Sequence, residues 1–569
     1  MQQSIEAFKA IRLQDTLQAT HQHWNVLLGL AEKYINQKVL SPLGINASVQ
    51  RVLTGVGLAS YFGYIISKYF IYRLYLNPVN KIPGPPVSWF PFTGNAIEII
   101  KLESGAPHKI WKDKYGGIIS YHGPWNSPRV LVTDAKLLKS ILTTNEYDYI
   151  KAPQTSDFLR KFIGNGLLVA EGQEHRKQRK MLNPAFSVNT IRYMVPMMAI
   201  PGVHLYKKWQ KALKETDALE ANVSHELSLA TLDVIAIAGF GEEFEAVKLA
   251  DTPERNKLGE AYMLIFSPEK SIMRFLSFFF PILNKLPTQR NRKVNHDLRT
   301  LGTESRYLVE RGKKRTEEND SKNSKDILSL MVKEIDEDGL GMTVSELQDQ
   351  CLTFLAAGHE TTSVALSWCL WLLAKNPGIQ DELREEIRPL FRNLDTDHHM
   401  FDSSKDSREM AIKNEASVPS YDDINSLKLL NNVCKETLRV IPPVPVTNRV
   451  TRKEVILGDY ILPKGTDVFI SIIANHHSKQ IWGDDAETFR PSRWDEELAS
   501  KVSPYEYMPF LAGGRQCIGY KFALVEMKIL LAILIMDFKF SEKPGFEPKK
   551  EQLITLRPSP NMTLILEKA

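Results

Sequence analysis

Cysteine is scarce. The chain has four in 569 residues, Cys351, Cys369, Cys434 and Cys517, with no CxxC pair and no close spacing. That excludes a disulfide scaffold and argues against a structural zinc site. An excess of one charge sign is lacking too. Lys and Arg number 72 against 67 Asp and Glu, a net +5, so no nucleic acid is expected as a partner. Glycine and proline, 31 each, are too few for a collagen-like or low-complexity chain. There is no internal repeat. No GxGxxG sits in a strand–helix unit, so a fused dinucleotide-binding domain is not expected. No signal peptide opens the chain, and the cysteine usage suits a reducing compartment. What remains is 43% hydrophobic and 24% charged, ordinary globular usage in a chain long enough to enclose a large cofactor.

One apolar run stands apart, Val52–Tyr72. As a helix it would be about 30 Å long, enough to cross a bilayer core. Arg51 and Arg73 bracket it, Lys68 could snorkel, and Tyr61, Tyr64, Tyr69 and Tyr72 suit an interface. A transmembrane anchor over 52–72 is therefore expected, after an N-terminal extension 1–51; an interfacial or buried helix is the alternative. Flanking charge does not fix its orientation. A linker over 73–86 follows, ending in the stiff KIPGPP run Lys81–Pro86, which reads as a hinge. Residues 87–569 read as one large, mainly α domain with small β-sheets. Strand-like runs are Ile118–His122, Val130–Thr133, Val455–Leu457, Asp467–Ile472 and Met562–Leu566, while helical patterns dominate from Val188 to Ile387. Asn393–Pro419 is polar, with few large apolar groups, and is expected to be a flexible insertion.

The chemistry gathers around Cys517. The run Phe510–Gly519 reads FLAGGRQCIG, and an apolar helical pattern, Phe522–Leu534, follows. A cysteine where a glycine-rich loop enters a helix meets unpaired N–H groups and the positive dipole end, both of which favour a thiolate. Glycine lets the backbone pass close to a flat ligand, and Arg515 offers a charge for a carboxylate. The other three cysteines read as small buried core residues.

This run matches at every fixed position the haem-binding signature FxxGxRxCxG, and the chain resembles the cytochrome P-450 family. Five fixed positions recur by chance roughly once in three million positions, so the match is specific. Other motifs follow in family order from about Pro83 to the C-terminus. Phe354–Thr362, FLAAGHETT, resembles the oxygen-activation motif, with Glu360 as proton relay and Thr361 beside it. Thr361 could bond back to a carbonyl or widen the helix locally. Glu436 and Arg439 match ExxR and share a helix face. A second copy, Glu385–Arg388, reads as a surface pair. Phe489–Trp494 resembles the PERF segment with Ser492 in place of glutamate, so that Arg493 would complete a structural Glu436–Arg439–Arg493 cluster. Gly172–Arg179 resembles the C-helix with His175 in place of the usual tryptophan.

The resemblance implies a cytochrome P-450 fold, one large haem domain preceded by an N-terminal transmembrane helix. It implies haem b, iron protoporphyrin IX, with Cys517 as the axial iron ligand. Arg515, Arg449, Arg179 and His175 would meet the propionates, and Phe510 and Gly519 would lie against the ring. The substrate pocket would take in Phe354, Ala357, Val444, Val446 and Thr447, with Phe158, Phe162 and Ile163 as a lid or as packing. The implied activity is a monooxygenase that inserts one oxygen atom from O2 into a lipophilic steroid, fatty acid, terpenoid or xenobiotic. Electrons would come from NADPH through NADPH-cytochrome P-450 reductase, with cytochrome b5 as a further donor. The reductase would dock near Arg176, Lys177, Arg179 and Lys180. Anchor and hinge resemble those of microsomal members, which implies the endoplasmic reticulum membrane with the catalytic domain cytoplasmic. The LNPAF run Leu182–Phe186 and AGHETT resemble fungal members. A haem-thiolate isomerase or dehydratase acting on peroxides without a reductase is the alternative, and a non-catalytic haem carrier a third; the Glu360–Thr361 pair argues against both.

Overall fold

A computed structural model describes residues 49–88, 93–250, 286–318, 325–334, 339–391, 419–552 and 554–569, with isolated positions at 26, 29–30, 33–34, 37–38 and 252. The insertion expected over 393–419 lies almost wholly outside the described residues. So do residues 1–25.

The described chain is mainly helical with small sheets. Its main core is built by helices α4 (Val188–Ala212), α5 (Val223–Val234), α6 (Val344–Ala374), α7 (Lys428–Val440) and α8 (Tyr520–Ile535). The long helix α6 starts where Thr343 accepts from the Glu346 N–H at 3.2 Å and Glu346 accepts from the Thr343 N–H at 2.8 Å. This reciprocal cap satisfies two otherwise orphaned donors. Along α6 the hydroxyls of Thr361, Ser363 and Ser367 donate back to carbonyls of the same helix, so they can be buried without stranding a polar group. Helix α8 is apolar on nearly every side and buried from Val525 to Ile535, as a helix enclosed by others should be.

A five-stranded sheet in the order β1-β2-β8-β5-β3 forms the second layer. Its strands are β1 (Ile118–His122), β2 (Pro128–Val132), β3 (Tyr149–Lys151), β5 (Val446–Thr451) and β8 (Asp467–Ser471). The β2–β8 pair is parallel and the others antiparallel. A three-stranded sheet joins β4 (Ala218–Asn222), β12 (Thr563–Lys568) and β9 (Phe538–Glu542). Two hairpins complete the strands: β6 (Val455–Leu457) with β7 (Tyr460–Leu462), and β10 (Lys549–Gln552) with β11 (Leu556–Ser559). The run expected as one strand over 467–472 ends at Ser471, whose hydroxyl caps a short helix, Ile472–His476.

The N-terminal anchor requires a correction. Helix α1 (Val49–Ile66) passes into a wider π-type helix, Ser67–Leu76. No helix among the described residues is long and apolar enough to cross a membrane. The reason lies in the second half. Lys68 and Arg73 lower its hydropathy, and its end is docked on the domain. Arg73 donates to the Trp125 carbonyl at 2.6 Å, and Tyr69 meets the Trp125 ring edge-on at 6.3 Å. The proline-rich segment after it, read as a hinge, is packed as well. Val79 and Ile82 are buried beneath the five-stranded sheet, and Pro83 accepts from the Ser120 N–H of β1 at 2.9 Å.

Candidate functional site

The cysteine loop is held open by its neighbours. Gly513 has φ +74°, and a Cβ there would lie 1.8 Å from the Leu142 carbonyl oxygen; at Gly514 it would meet the Glu146 carboxylate at 2.2 Å. These two glycines are therefore required by the segment 142–146, which packs under the loop and accepts from the Gly514 N–H at 3.0 Å. Cys517 follows, its N–H donating to the Phe510 carbonyl at 2.9 Å. Its side chain stands open to a large cavity of about 2590 Å³ that reaches the surface. Burial raises the thiol's pKa, while the Gly519 N–H and Arg179 oppose that rise. Cys351, Cys369 and Cys434 are buried, with thiols pushed up by burial, Cys434 to about 12.

Cations crowd one wall of this cavity. The register of β3 on β5 sets Lys151 directly opposite Arg449. Like charges across a strand pair are unfavourable. Arg515 approaches the same place, and His175 of α3 (Gly172–Leu182) closes it. Arg449 is buried, and burial and Arg515 bring its pKa down to about 10. Lys151 comes down to about 7, chiefly by burial and then by Arg515, and its Nζ donates to the carbonyls of Leu167 (3.1 Å) and Ala170 (3.0 Å). Burial and the same cations take His175 to about 3, so its imidazole is neutral. Glu171 is the acid among them, paired with Arg515 and accepting from the Lys151 N–H at 2.8 Å. The Nε and Nη1 of Arg515 are buried with no partner among the described residues. Several buried cations, unpaired guanidinium donors and one carboxylate make a site that fits a dianionic ligand. Two propionates of a haem fit it, with Cys517 on the same cavity to reach the iron.

Arg179, expected to share that role, lines the same cavity. It donates to the Gln516 carbonyl at 2.6 Å, which braces the cysteine loop from α3. Arg176 stacks over Tyr147 at 4.0 Å. Phe510 lies 6.1 Å from the Tyr520 ring, and Phe510 and Gly519 both line the cavity. So do Phe354, Ala357, Val444, Val446 and Thr447, together with Phe158 and Phe162, whose rings are 5.0 Å apart. The structure thus brings the expected pocket residues to one space.

Thr361 faces the cavity from α6 and donates back to the Ala357 carbonyl at 2.8 Å, with the α-helix continuous through it. Glu360 is engaged by residues that the motif does not contain. Its carboxylate accepts from Thr555 Oγ1 at 2.5 Å and from both Nε and Nη2 of Arg557, on the hairpin β10–β11. A second buried acid, Glu526 of α8, also lines the cavity, and burial raises its pKa well above the carboxylate range.

Helix α7 carries a closed ion cluster. Glu436 holds Arg439 through two bonds of 2.8 Å, and it accepts from Arg493 Nε at 3.3 Å, Trp494 Nε1 at 3.0 Å and the Arg490 N–H at 3.0 Å. Glu436, Arg439 and Arg493 are fully buried. The other ExxR copy, Glu385–Arg388, is an exposed pair at 2.7 Å.

Sequence reasoning missed Lys151, Glu171, Thr555, Arg557 and Trp494. No local pattern marks Lys151, Thr555 and Arg557, because strand pairing and a hairpin bring them to the site; Glu171 stands at the N-cap of α3, one residue before the Gly172–Arg179 run. Trp494 was in plain view within the PERF-like run.

The family model described as Cytochrome P450 matches residues 83–565. The chain is similar to cytochrome P450 monooxygenase sphH of Aspergillus fumigatus, 32% identical over 514 residues that cover 87% of this chain and 89% of the relative. It is also similar to cytochrome P450 monooxygenase 205 of Postia placenta, 32% identical over 526 residues, 86% and 91% of the two chains. A third relative is a cytokinin hydroxylase of Arabidopsis thaliana, 30% identical over 500 residues, 84% and 89%.

Proposed function

Because this chain belongs to the cytochrome P450 family and is a haem-thiolate monooxygenase, we propose that it hydroxylates a lipophilic small molecule with electrons from NADPH. The cofactor in this reading is haem b. The donor is NADPH-cytochrome P-450 reductase, with cytochrome b5 as a second. The observation that carries the reading is the cavity itself, where Cys517, the cation cluster and an apolar wall of Phe354, Ala357, Val444 and Val446 meet.

Bound haem supplies the activation of O2, which the protein's own side chains cannot perform. Cys517 would hold the iron as thiolate, its thiol proton lost to solvent, with the Gly519 N–H and Arg179 favouring the charged form. Arg515, Arg449 and Lys151 would hold the propionates, with the His175 ring beside them. The apolar wall orients the substrate and excludes water. Thr361 presents a hydroxyl to the cavity, and Glu360 is the acid from which protons are passed. The Glu436–Arg439–Arg493 cluster fixes the backbone on which the cysteine loop rests.

The endoplasmic reticulum membrane, with the domain on the cytoplasmic side, completes the proposal. It is supported by the exposed apolar surface of α1, including Val56, Leu58, Phe62 and Ile66, and by tyrosines suited to a lipid interface. Vesicle flotation of the full chain tests that part: it should float with lipid, and a chain cut before Pro78 should not.

The activity is tested by supplying haem, reductase, NADPH and 18O2 with a panel of fatty acids, steroids and terpenoids. A product bearing one labelled oxygen, dependent on NADPH, is expected. Rearrangement of an added fatty-acid hydroperoxide without NADPH or O2, with no labelled product from the panel, would replace this reading with the isomerase one.

A further inference from the structure

The cavity opens beside a second group of cations, which neither the cysteine loop nor the proton route uses. Lys68, Tyr69 and Arg73 of the π-type helix line it, together with Trp125 of the β1–β2 turn and Arg129 of β2. Lys68 and Trp125 are exposed, so this is the mouth of the cavity. Lys68 Nζ and the Arg73 guanidinium lie 5.6 and 4.5 Å from the centre of one ring, Tyr69, and that ring meets Trp125 edge-on. Arg129 reaches back to the same turn: a Cβ at Gly123 would lie 2.4 Å from its Cζ. The group is held in place. Arg73 Nη1 donates to the Trp125 carbonyl, Asn126 Nδ2 to the Tyr69 carbonyl at 3.4 Å and Asn80 Nδ2 to the Arg73 carbonyl at 3.0 Å. A site fixed before binding loses less freedom on binding.

Its charge is not balanced. Among the described residues neither Lys68 nor Arg73 is paired with a carboxylate. Arg129 faces Asp467 across the β2–β8 pair at 3.9 Å, beyond hydrogen-bond length, and its Nε is buried with no partner among the described residues. Three cations against one carboxylate leave an excess of positive charge at the mouth. The same cavity carries the apolar wall of Phe354, Ala357, Val444 and Val446 and the Cys517 side chain. A ligand that suits both parts has an anion at one end and an apolar body.

We propose that this cluster selects the substrate, a long-chain carboxylic acid whose carboxylate is held at the mouth by Arg129 and Lys68 while its tail lies along the apolar wall. The inference rests on the monooxygenase reading and names its substrate class. Oxygen then enters the tail, away from the carboxylate. A tail C–H becomes C–OH in RH + O2 + NADPH + H+ → ROH + H2O + NADP+; NADPH is oxidised, the second oxygen atom leaves as water and the carboxylate is unchanged. A steroid or terpenoid without an acid group would leave the buried Nε of Arg129 without an acceptor.

The test uses the haem-loaded full chain in a neutral detergent and measures binding of hexadecanoic acid and of its methyl ester by the haem absorption shift. The ratio of the two Kd values is the readout, because damage to the fold weakens both ligands alike. The wild type should bind the acid more tightly. Arg129→Gln should cut that preference by about ten-fold or more, as for a lost charge-assisted bond. Lys68→Gln, on an exposed side chain, should cut it by about two- to five-fold and carries the test where Arg129→Gln misfolds. Asp467→Asn removes the opposing charge and should raise it. With reductase and NADPH, mass spectrometry should place the new oxygen on the tail. A wild type that binds the acid no better than the ester, or binds neither, overturns the proposal. So does an unchanged ratio in the folded variants, or oxygen placed beside the carboxylate. Variants that lose flotation on phosphatidylserine vesicles yet keep the ratio would assign the cations to lipid headgroups and overturn it too. Acid binding with the expected ratios but no NADPH-dependent product would instead overturn the monooxygenase reading.

Discussion

Replacing Arg439 by lysine keeps the charge and removes the fork. Arg439 spends all five of its N–H donors on buried acceptors. Nε and one Nη2 hydrogen go to Glu436 at 2.8 Å each, and the other Nη2 hydrogen to Thr488 O at 3.1 Å. Nη1 serves His476 O at 2.6 Å and also Ala486 O. An ammonium has three donors, so at least two of those acceptors lose their partner. An unsatisfied buried group costs about 1–3 kcal/mol, which gives a loss of roughly 2–6 kcal/mol. That is a large part of the ~5–15 kcal/mol that holds a domain. In a urea titration followed by circular dichroism, at a slope of ~3 kcal/mol per M, the midpoint should fall by roughly 0.7–2 M. Arg388→Lys is the control. Its Glu385–Arg388 pair has the same sequence spacing but is exposed at 2.7 Å, so its effect should stay within about 0.5 kcal/mol. Equal small shifts in the two variants would refute the reasoning, because the buried fork would then contribute no more than a surface pair.

Two further predictions concern the cation cluster. Burial and Arg515 hold Lys151 near 7 in the free protein, so above that pH it is largely neutral; anionic propionates favour its charged form and raise its pKa. Haem binding at pH 8 should therefore take up protons, seen as a buffer-dependent calorimetric enthalpy, and the uptake should shrink in Lys151→Met. The same depression means that the free protein gains stability as pH rises from about 7 toward the ordinary lysine range, since the unfolded chain then binds the proton that the folded one has shed. Arg515→Leu removes two unpaired buried donors. At ~1.5–3 kcal/mol for a charge-assisted bond, haem loss to an acceptor protein should speed up by about ten-fold or more.

The sequence is most legible where chemistry sits in one continuous run. FxxGxRxCxG marks Cys517, Arg515 and Gly519 together, and the ExxR and PERF-like runs mark a cluster that the structure closes around Glu436. Strands whose apolar residues are consecutive, such as Ile118–His122 and Val455–Leu457, can be read to the residue. Strand β3 is too short for periodicity to show, and β5, with Thr447, Asn448 and Arg449, carries the polar residues of a cavity wall. Yet their register creates the Lys151–Arg449 juxtaposition. Arg557 is nearly 200 residues from Glu360 in sequence (197), and only the fold of the hairpin shows that the acid of the motif is held. The anchor shows the opposite failure. Composition over 52–72 suggests one span, but Lys68, Arg73 and the docking of Arg73 on Trp125 divide the helix into an exposed apolar half and a half bound to the domain.

The most direct test of the account is the reduced, carbon-monoxide-bound difference spectrum of the haem-loaded chain beside Cys517→Ala. A strongly red-shifted Soret band in the wild type, absent from the variant, is the predicted result and identifies Cys517 as the thiolate on the iron. A folded, haem-loaded wild type without that band, or a Cys517→Ala variant that keeps it, would contradict the central claim.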